Sequence, residues 1–222
     1  MKRGLLITID GPAGSGKSTV SRLLAKQLSY CYLDTGALYR AVAYQVQKER
    51  LDGADQETIM DLCGRTDIRL KRLGDVLKVF VEGRDVSDKI RTESVGLLAS
   101  SLSALPAVRS ALLPIQREAA KHGGMIAEGR DMGTVVFPDA DVKFFLDADA
   151  EVRARRRWLE LAMRGEQVSF TILMEGMMIR DRQDRERVIA PLKVPANAIM
   201  IDSTGLDIDA VVRAMLSAIP EP

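Results

Sequence analysis

Apolar residues along this chain follow two rhythms. Short runs at 5–9, 30–33, 125–127, 142–146 and 198–201 are too brief for helices and read as buried strands. Between them the apolar positions recur at helical spacing. Val20, Leu23, Leu24 and Leu28 form one such face. Leu38, Val42 and Val46 form another, preceded by the N-capping types Asp34 and Thr35. Ile208, Val211, Val212, Met215 and Leu216 form a closing helix. Strand, loop, helix, strand, helix is the opening of an open parallel α/β sheet of five strands flanked by helices. Ligands bind such sheets at the carboxyl ends of the strands, so Thr35, Tyr39 and Arg40 belong near the loop after the first strand.

From 67 to 86 the period changes to two. Ile68 and Leu70, then Val76, Val79, Phe80 and Val81, alternate around Leu73-Gly74-Asp75. This predicts a β-hairpin with a further short strand near Asp85-Val86, an antiparallel insert packed with neighbouring helices as a small lobe. Residues 91–105 read as helical. Pro106 suits the first position of the next helix, which continues through Val108, Leu112 and Ile115. Pro114 interrupts that face, removing a backbone bond to Ser110 at a cost of ~3 kcal/mol in a straight helix, so a kink or break is expected there. There is no internal repeat, low-complexity stretch or long linker.

The loop after the first strand carries the chemistry. Gly11-Pro12-Ala13-Gly14-Ser15-Gly16-Lys17-Ser18 matches the phosphate-binding template of Gly, four free positions and Gly-Lys-Ser/Thr. Its glycines let backbone N–H groups turn inward around phosphate oxygens, and the following helix N-terminus favours negative charge. Gly11, Gly14, Ser15, Gly16, Lys17, Ser18 and Thr19 are the expected ATP phosphate site. Lys17 reaches the β- and γ-phosphates, and Ser18 is the metal ligand, meeting Mg²⁺ together with phosphates and water. The fold class is therefore a P-loop NTPase.

Composition narrows the picture. The 222 residues suit one domain, or one with inserts, and 46% hydrophobic content supports a substantial core. No apolar run approaches the ~18 residues of a membrane span. Met1-Lys2-Arg3 has the charge of a signal-peptide start, but the next residues lead into the first strand, so no targeting segment is read. Cys31 and Cys63 have no metal or redox spacing and are read as intracellular thiols. His122 precedes Gly123-Gly124 at an expected helix end and receives no catalytic role. Net charge is +1 and aromatic content 5%, which argue against a nucleic-acid-binding surface. No Asn-Lys-x-Asp sequence reads guanine, as a GTP switch requires.

The charge is unevenly placed. Residues 153–193 hold ten Lys/Arg against six Asp/Glu. Arg180, Asp184 and Arg187 share one helix face, which taken alone reads first as a surface salt-bridge ladder. Beside a phosphate loop they become a candidate cationic wall. Arg153, Arg156 and Arg157, with Arg164-Gly165-Glu166 at a turn, suit a helical arm that closes over phosphates, since the guanidinium fork pairs bidentately with phosphate oxygens. Glu128-Gly129-Arg130-Asp131 at a strand end offers an acid for metal-bound water plus a cation–carboxylate pair; a plain structural turn is the other reading.

Ile9-Asp10-Gly11-Pro12, Leu33-Asp34-Thr35-Gly36-Ala37-Leu38-Tyr39-Arg40, Asp88-Lys89-Ile90-Arg91-Thr92, the stretch 129–138 and the stretch 181–192 together resemble the bacterial cytidylate kinases, nearly end to end. The resemblance implies a nucleoside monophosphate kinase that moves the γ-phosphoryl group of ATP to CMP or dCMP with Mg²⁺. A related small kinase acting on UMP, dTMP or a non-nucleotide acceptor is the alternative. By resemblance, Ser100 (or Ser101), Arg109 and Asp131 meet the cytosine ring. Arg40, Arg130 and Arg187 hold the acceptor phosphate, and Tyr39, Arg180 and Asp184 lie near the sugar. Thr35 stands where a serine is common and completes the CMP site. Lys17, Arg130, Arg157 and Arg187 serve the transferring group. The core is expected at 1–40 and 105–222, the monophosphate lobe at 41–104 and the lid at 153–166, all within one domain. A cytoplasmic monomer without membrane or nucleic-acid partners is expected. Asp131 supplies a physical reason for base choice: a carboxylate accepts from the exocyclic amine of cytosine and opposes the carbonyl of uracil.

Overall fold

The structure, a computed structural model, describes residues 4–74 and 76–220. Met1, Lys2, Arg3 and Asp75 lie outside the described residues, and with them the charged start and one residue of the expected hairpin turn. The elements run β1 (Leu6–Asp10), α1 (Lys17–Leu28), β2 (Cys31–Asp34), α2 (Thr35–Lys48), α3 (Gln56–Arg65), β3 (Ile68–Leu73), β4 (Val76–Val81), β5 (Arg84–Asp85), α4 (Glu93–Leu102), α5 (Pro106–Ala119), β6 (Met125–Gly129), β7 (Val142–Asp147), α6 (Ala150–Met163), α7 (Phe170–Glu186), β8 (Ile199–Asp202) and α8 (Ile208–Ala218). A 3₁₀ turn covers Lys89–Arg91 and a π-helical turn Met132–Val136.

The strands form one sheet in the order β3-β4-β2-β6-β1-β7-β8, with β5 also on β4. Strands β2, β6, β1, β7 and β8 are mutually parallel, the five expected from the apolar runs. Alternation still sorts their buried residues. Ile7, Ile9, Tyr32, Ile126, Phe144 and Leu146 pack beneath α1 and α8. Leu6, Leu33, Met125 and Ala127 pack on the opposite face with Met132 and Phe137. A third cluster joins α2, α3, α4 and α5 to Val79 and Val81 of β4.

The hairpin β3–β4 is antiparallel as expected. It also continues the main sheet, because β4 pairs with β2 in parallel at Tyr32↔Val76. Helix α3 has no counterpart in the apolar pattern: it buries only Ile59 and Leu62, although Asp55 caps it through the Thr58 N–H at 2.8 Å. Pro114 does not break α5, which is one helix over Pro106–Ala119. Pro114 and Ser110 are both exposed, so water can satisfy the carbonyl that the proline cannot. Among the described residues, no single helix is long and apolar enough to cross a membrane.

The parallel strands end along one edge at Asp34, Gly129, Asp10, Asp147 and Asp202. That edge carries the candidate site.

Candidate active site

The phosphate loop occupies the six residues between β1 and α1. Gly11 (φ 152°) passes so close to β7 that a Cβ would stand 2.0 Å from the Leu146 carbonyl oxygen. Gly14 (φ 75°) would bring a Cβ 2.8 Å from the Arg153 carbonyl oxygen. The Ser15 hydroxyl donates to the Pro12 carbonyl at 3.1 Å. Lys17 is buried, and its ammonium donates to Pro12 O and to Ser15 Oγ. Burial lowers the Lys17 amine to about 7, and the Arg130 charge acts in the same direction against Glu128 and Asp10. Ser18 and Thr19 are exposed in the first turn of α1.

Beyond Lys17, a relay of alternating charge crosses the strand ends. Arg130, after β6, donates to Asp184 of α7 at 2.8 Å. Arg187, at the end of α7, has a guanidinium nitrogen 3.7 Å from Asp184 and another 3.6 Å from Asp131. Asp131 also accepts from Arg109 of α5, and that guanidinium lies 5.7 Å from the centre of the Tyr39 ring. Asp131 and Arg109 are buried. Burial raises the Asp131 carboxyl, with Arg109 and Arg187 opposing that shift. Arg40 is paired with Asp34 at 2.6 Å. Arg180 is an electrostatic neighbour of Arg130, Asp184 and Arg40. Among the described residues, Arg40 Nε, Arg180 Nε and one terminal nitrogen of Arg187 are buried without a hydrogen-bond partner. Unsatisfied buried guanidinium groups beside a phosphate loop suit a second anion.

The structure thus brings Lys17, Arg40, Arg130, Arg180, Asp184, Arg187, Asp131, Arg109 and Tyr39 into one region. Other candidates are placed differently. The Thr35 hydroxyl donates to the Glu128 carbonyl at 2.7 Å and ties α2 to β6. Ser100 is half-buried on α4, and Ser101 is exposed. One turn later, Ser103 receives Arg187 on its hydroxyl (3.2 Å) and Arg109 on its carbonyl (3.1 Å). Nothing in the apolar pattern singled out Ser103, which follows the last turn of α4.

The arm differs from the expected row of phosphate-facing arginines. Arg153 is buried and donates to the carbonyls of Ala148 and Ala13, both at 2.9 Å, and pairs with Asp181 at 2.6 Å. It fastens the phosphate loop to α6 and α7. Arg156 holds Ser203 just after β8 (3.0 and 2.6 Å). Arg157 pairs with Glu93 at 2.7 Å and Glu160 at 2.9 Å. A cavity of about 420 Å³ lies at the α6–α7 turn between Trp158 and Ser169, with no phosphate-loop residue in its lining.

Two carboxylates complete the floor. Glu128, at the end of β6, accepts from the Tyr32 hydroxyl and has Ser18 as an electrostatic neighbour. Burial raises its carboxyl, and the nearby Asp34 charge adds to that. Asp10, fully buried at the end of β1, accepts from the backbone N–H of Met132 (2.8 Å) and of Gly133 (2.7 Å). Among the described residues no three His, Cys, Asp or Glu gather as a metal cage.

The whole chain has known relatives. The family model for cytidylate kinase matches residues 7–221. A cytidylate kinase of Citrifermentans bemidjiense is 49% identical over 99% of this chain and 94% of its own length. One from Pseudomonas putida is 48% identical over 97% and 96%. Among solved structures, an uncharacterized protein from Eubacterium ventriosum superposes with a TM-score of 0.51 at 13% identity, over 97% of this chain and 98% of that one.

Proposed function

This chain belongs to the cytidylate kinase family, and we propose from that footing how its residues move the γ-phosphoryl group of ATP to CMP or dCMP, yielding ADP and CDP or dCDP. The acceptor phosphate is already anionic, so neither a covalent nucleophile nor a strong general base is needed. Catalysis comes from alignment and neutralisation of charge.

The observation that carries the reading is the set of buried, unpaired guanidinium nitrogens on Arg40, Arg180 and Arg187, clustered around the Arg130–Asp184 pair that borders Lys17. ATP lies on the Gly11–Thr19 loop with Lys17 on its outer phosphates. The CMP phosphate meets the guanidinium groups of Arg40 and Arg187, with Arg130. Asp184 holds Arg130 and, with Arg180, borders the sugar. Asp131, steadied by Arg109, accepts from the cytosine amine. Ser103, which already touches both Arg109 and Arg187, joins Ser100 on the base side of the site. Arg157 is the lid arginine, and it exchanges Glu93 and Glu160 for the transferring group when the arm 153–166 closes on the core. The insert 41–104 carries the acceptor.

The donor set at the floor fits Mg²⁺. Ser18 and Glu128 are electrostatic neighbours and Asp34 lies beside them, all hard oxygen ligands. These would hold the ion beside the phosphates, where it would neutralise charge on the transferring group. The acting form proposed is a cytoplasmic monomer.

A coupled ADP-release assay with ATP, Mg²⁺ and each of CMP, dCMP, UMP, dTMP, AMP and GMP tests the reading. Turnover confined to CMP and dCMP is expected. Turnover with another acceptor instead would remove Asp131 and Arg109 from base recognition.

A further inference from the structure

The π-helical turn Met132–Val136 follows directly on Arg130 and Asp131, and its start raises a question of hydrogen-bond accounting. A helical turn leaves its first N–H groups without acceptors of its own. The residue before the turn is Asp131, a type that ordinarily bends its carboxylate back onto those groups. Asp131 makes no such bond. One of its oxygens receives Arg109 and the other faces Arg187 at 3.6 Å. The orphan N–H groups are satisfied from another strand: Asp10 takes Met132 on one oxygen (2.8 Å) and Gly133 on the other (2.7 Å). The turn is otherwise closed by Val136 N–H on Asp131 O (3.1 Å) and Phe137 N–H on Met132 O (2.7 Å). Gly133 is pressed between Thr8 and Pro195, so the turn has little room to shift.

We propose that Asp10 caps this turn in place of Asp131, and so leaves the Asp131 carboxylate for the acceptor base. Asp10 is then a positioning residue for base selection. It precedes Gly11 of the phosphate loop and pairs in register with Gly129 of β6. One carboxylate therefore ties the loop that holds the donor to the turn that presents the base-reading acid. Burial raises the Asp10 carboxyl to about 6 while the two N–H bonds lower it, and the Asp131 charge adds to the rise. Two acids are kept close at this cost because they divide two tasks.

The inference rests on the assignment of Asp131 to cytosine. Asp10→Asn keeps the shape but replaces one acceptor with a donor that meets an N–H. Asp131, at the capping position of the turn, then becomes the substitute acceptor. The expected result is a KM for CMP about tenfold higher and a CMP/UMP ratio of kcat/KM about tenfold smaller, with the KM for ATP changed less than about twofold. Asp131→Asn is the control, and the double variant should have the same base ratio as Asp131→Asn alone. If Asp131→Asn compresses the ratio and Asp10→Asn does not, the inference is overturned and the base assignment stands. If neither compresses it, the base assignment fails and takes the inference with it. Equal losses toward ATP and CMP with an unchanged base ratio would also overturn it, since a purely structural cap weakens both. Should Asp10→Asn fail to fold, Asp10→Ser retains one acceptor and is read by the same ratio.

Discussion

Arg157 on α6 and Glu93 at the start of α4 are paired at 2.7 Å, which joins the arm to the segment that follows the hairpin. Arg157 is also held by Glu160, so its reach toward a phosphoryl group is restrained twice. Glu93 is half exposed, and such a pair is worth only ~0.2–1 kcal/mol. Glu93→Gln should therefore release the arm with a gain of at most about fivefold in kcat/KM for either substrate, whereas Arg157→Ala should lower kcat. A loss of activity in Glu93→Gln would mean that the pair supports the productive arrangement rather than holding the arm back.

Lys17 should link ATP binding to proton uptake. Its amine lies at about 7, below the ordinary lysine range, so at pH 8 it is largely neutral in the unliganded protein. Anionic phosphates favour the charged form and raise that value. Binding at pH 8 should then take up a fraction of a proton, and at pH 6, where the amine is already charged, this uptake should vanish. Calorimetry in two buffers of different ionisation enthalpy measures it. Lys17→Ala should remove the uptake and lower phosphoryl transfer by at least ~10²-fold; uptake that survives the substitution belongs to another group.

Arg180 should trade stability for binding. Burial and the neighbouring Arg130 charge push its guanidinium below the ordinary range, and its Nε has no hydrogen-bond partner among the described residues. Arg180→Met keeps the bulk and removes the strain of a crowded cation. We expect the unliganded protein to gain about 1 kcal/mol, or ~2–4 °C in Tm, while the KM for CMP rises. A lower Tm would show that Asp184 depends on this charge more than Arg180 suffers from its neighbours.

Arg153 should matter for the donor side through the fold. Its fork meets two carbonyls and Asp181, and removing it leaves a buried carboxylate without its cation. Arg153→Ala should cost ~3–5 kcal/mol of stability and raise the KM for ATP more than that for CMP. Arg153→Lys should recover little, because an ammonium cannot span three acceptors in a plane. Full recovery by lysine in thermal melts would reduce the role of Arg153 to charge alone.

Much of this architecture was legible in the order of residues. The five parallel strands, the glycine loop between β1 and α1, and the helix faces follow from short-range patterns, because a strand buried on both faces needs an apolar run and a tight phosphate loop needs glycine. Helix α3 escaped because two buried residues in ten make too faint a face. Pro114 brings no break in α5, because its cost depends on whether the freed carbonyl meets water, and exposure is a tertiary property. Arg153 and Arg157 share a helix face and a chemistry, yet one is locked beneath the phosphate loop and the other paired across to α4. Likewise the order of residues gives Asp131 a base-reading role by resemblance and gives Asp10 none. Which of them caps the turn at Met132 and which faces Arg109 is decided by the packing of β1 against β6. Local periodicity and motif spacing determine elements and their chemistry, because they act between near neighbours. Which charge meets which is determined only when distant strands and helices close on one another and exclude the water that would otherwise satisfy every one of them.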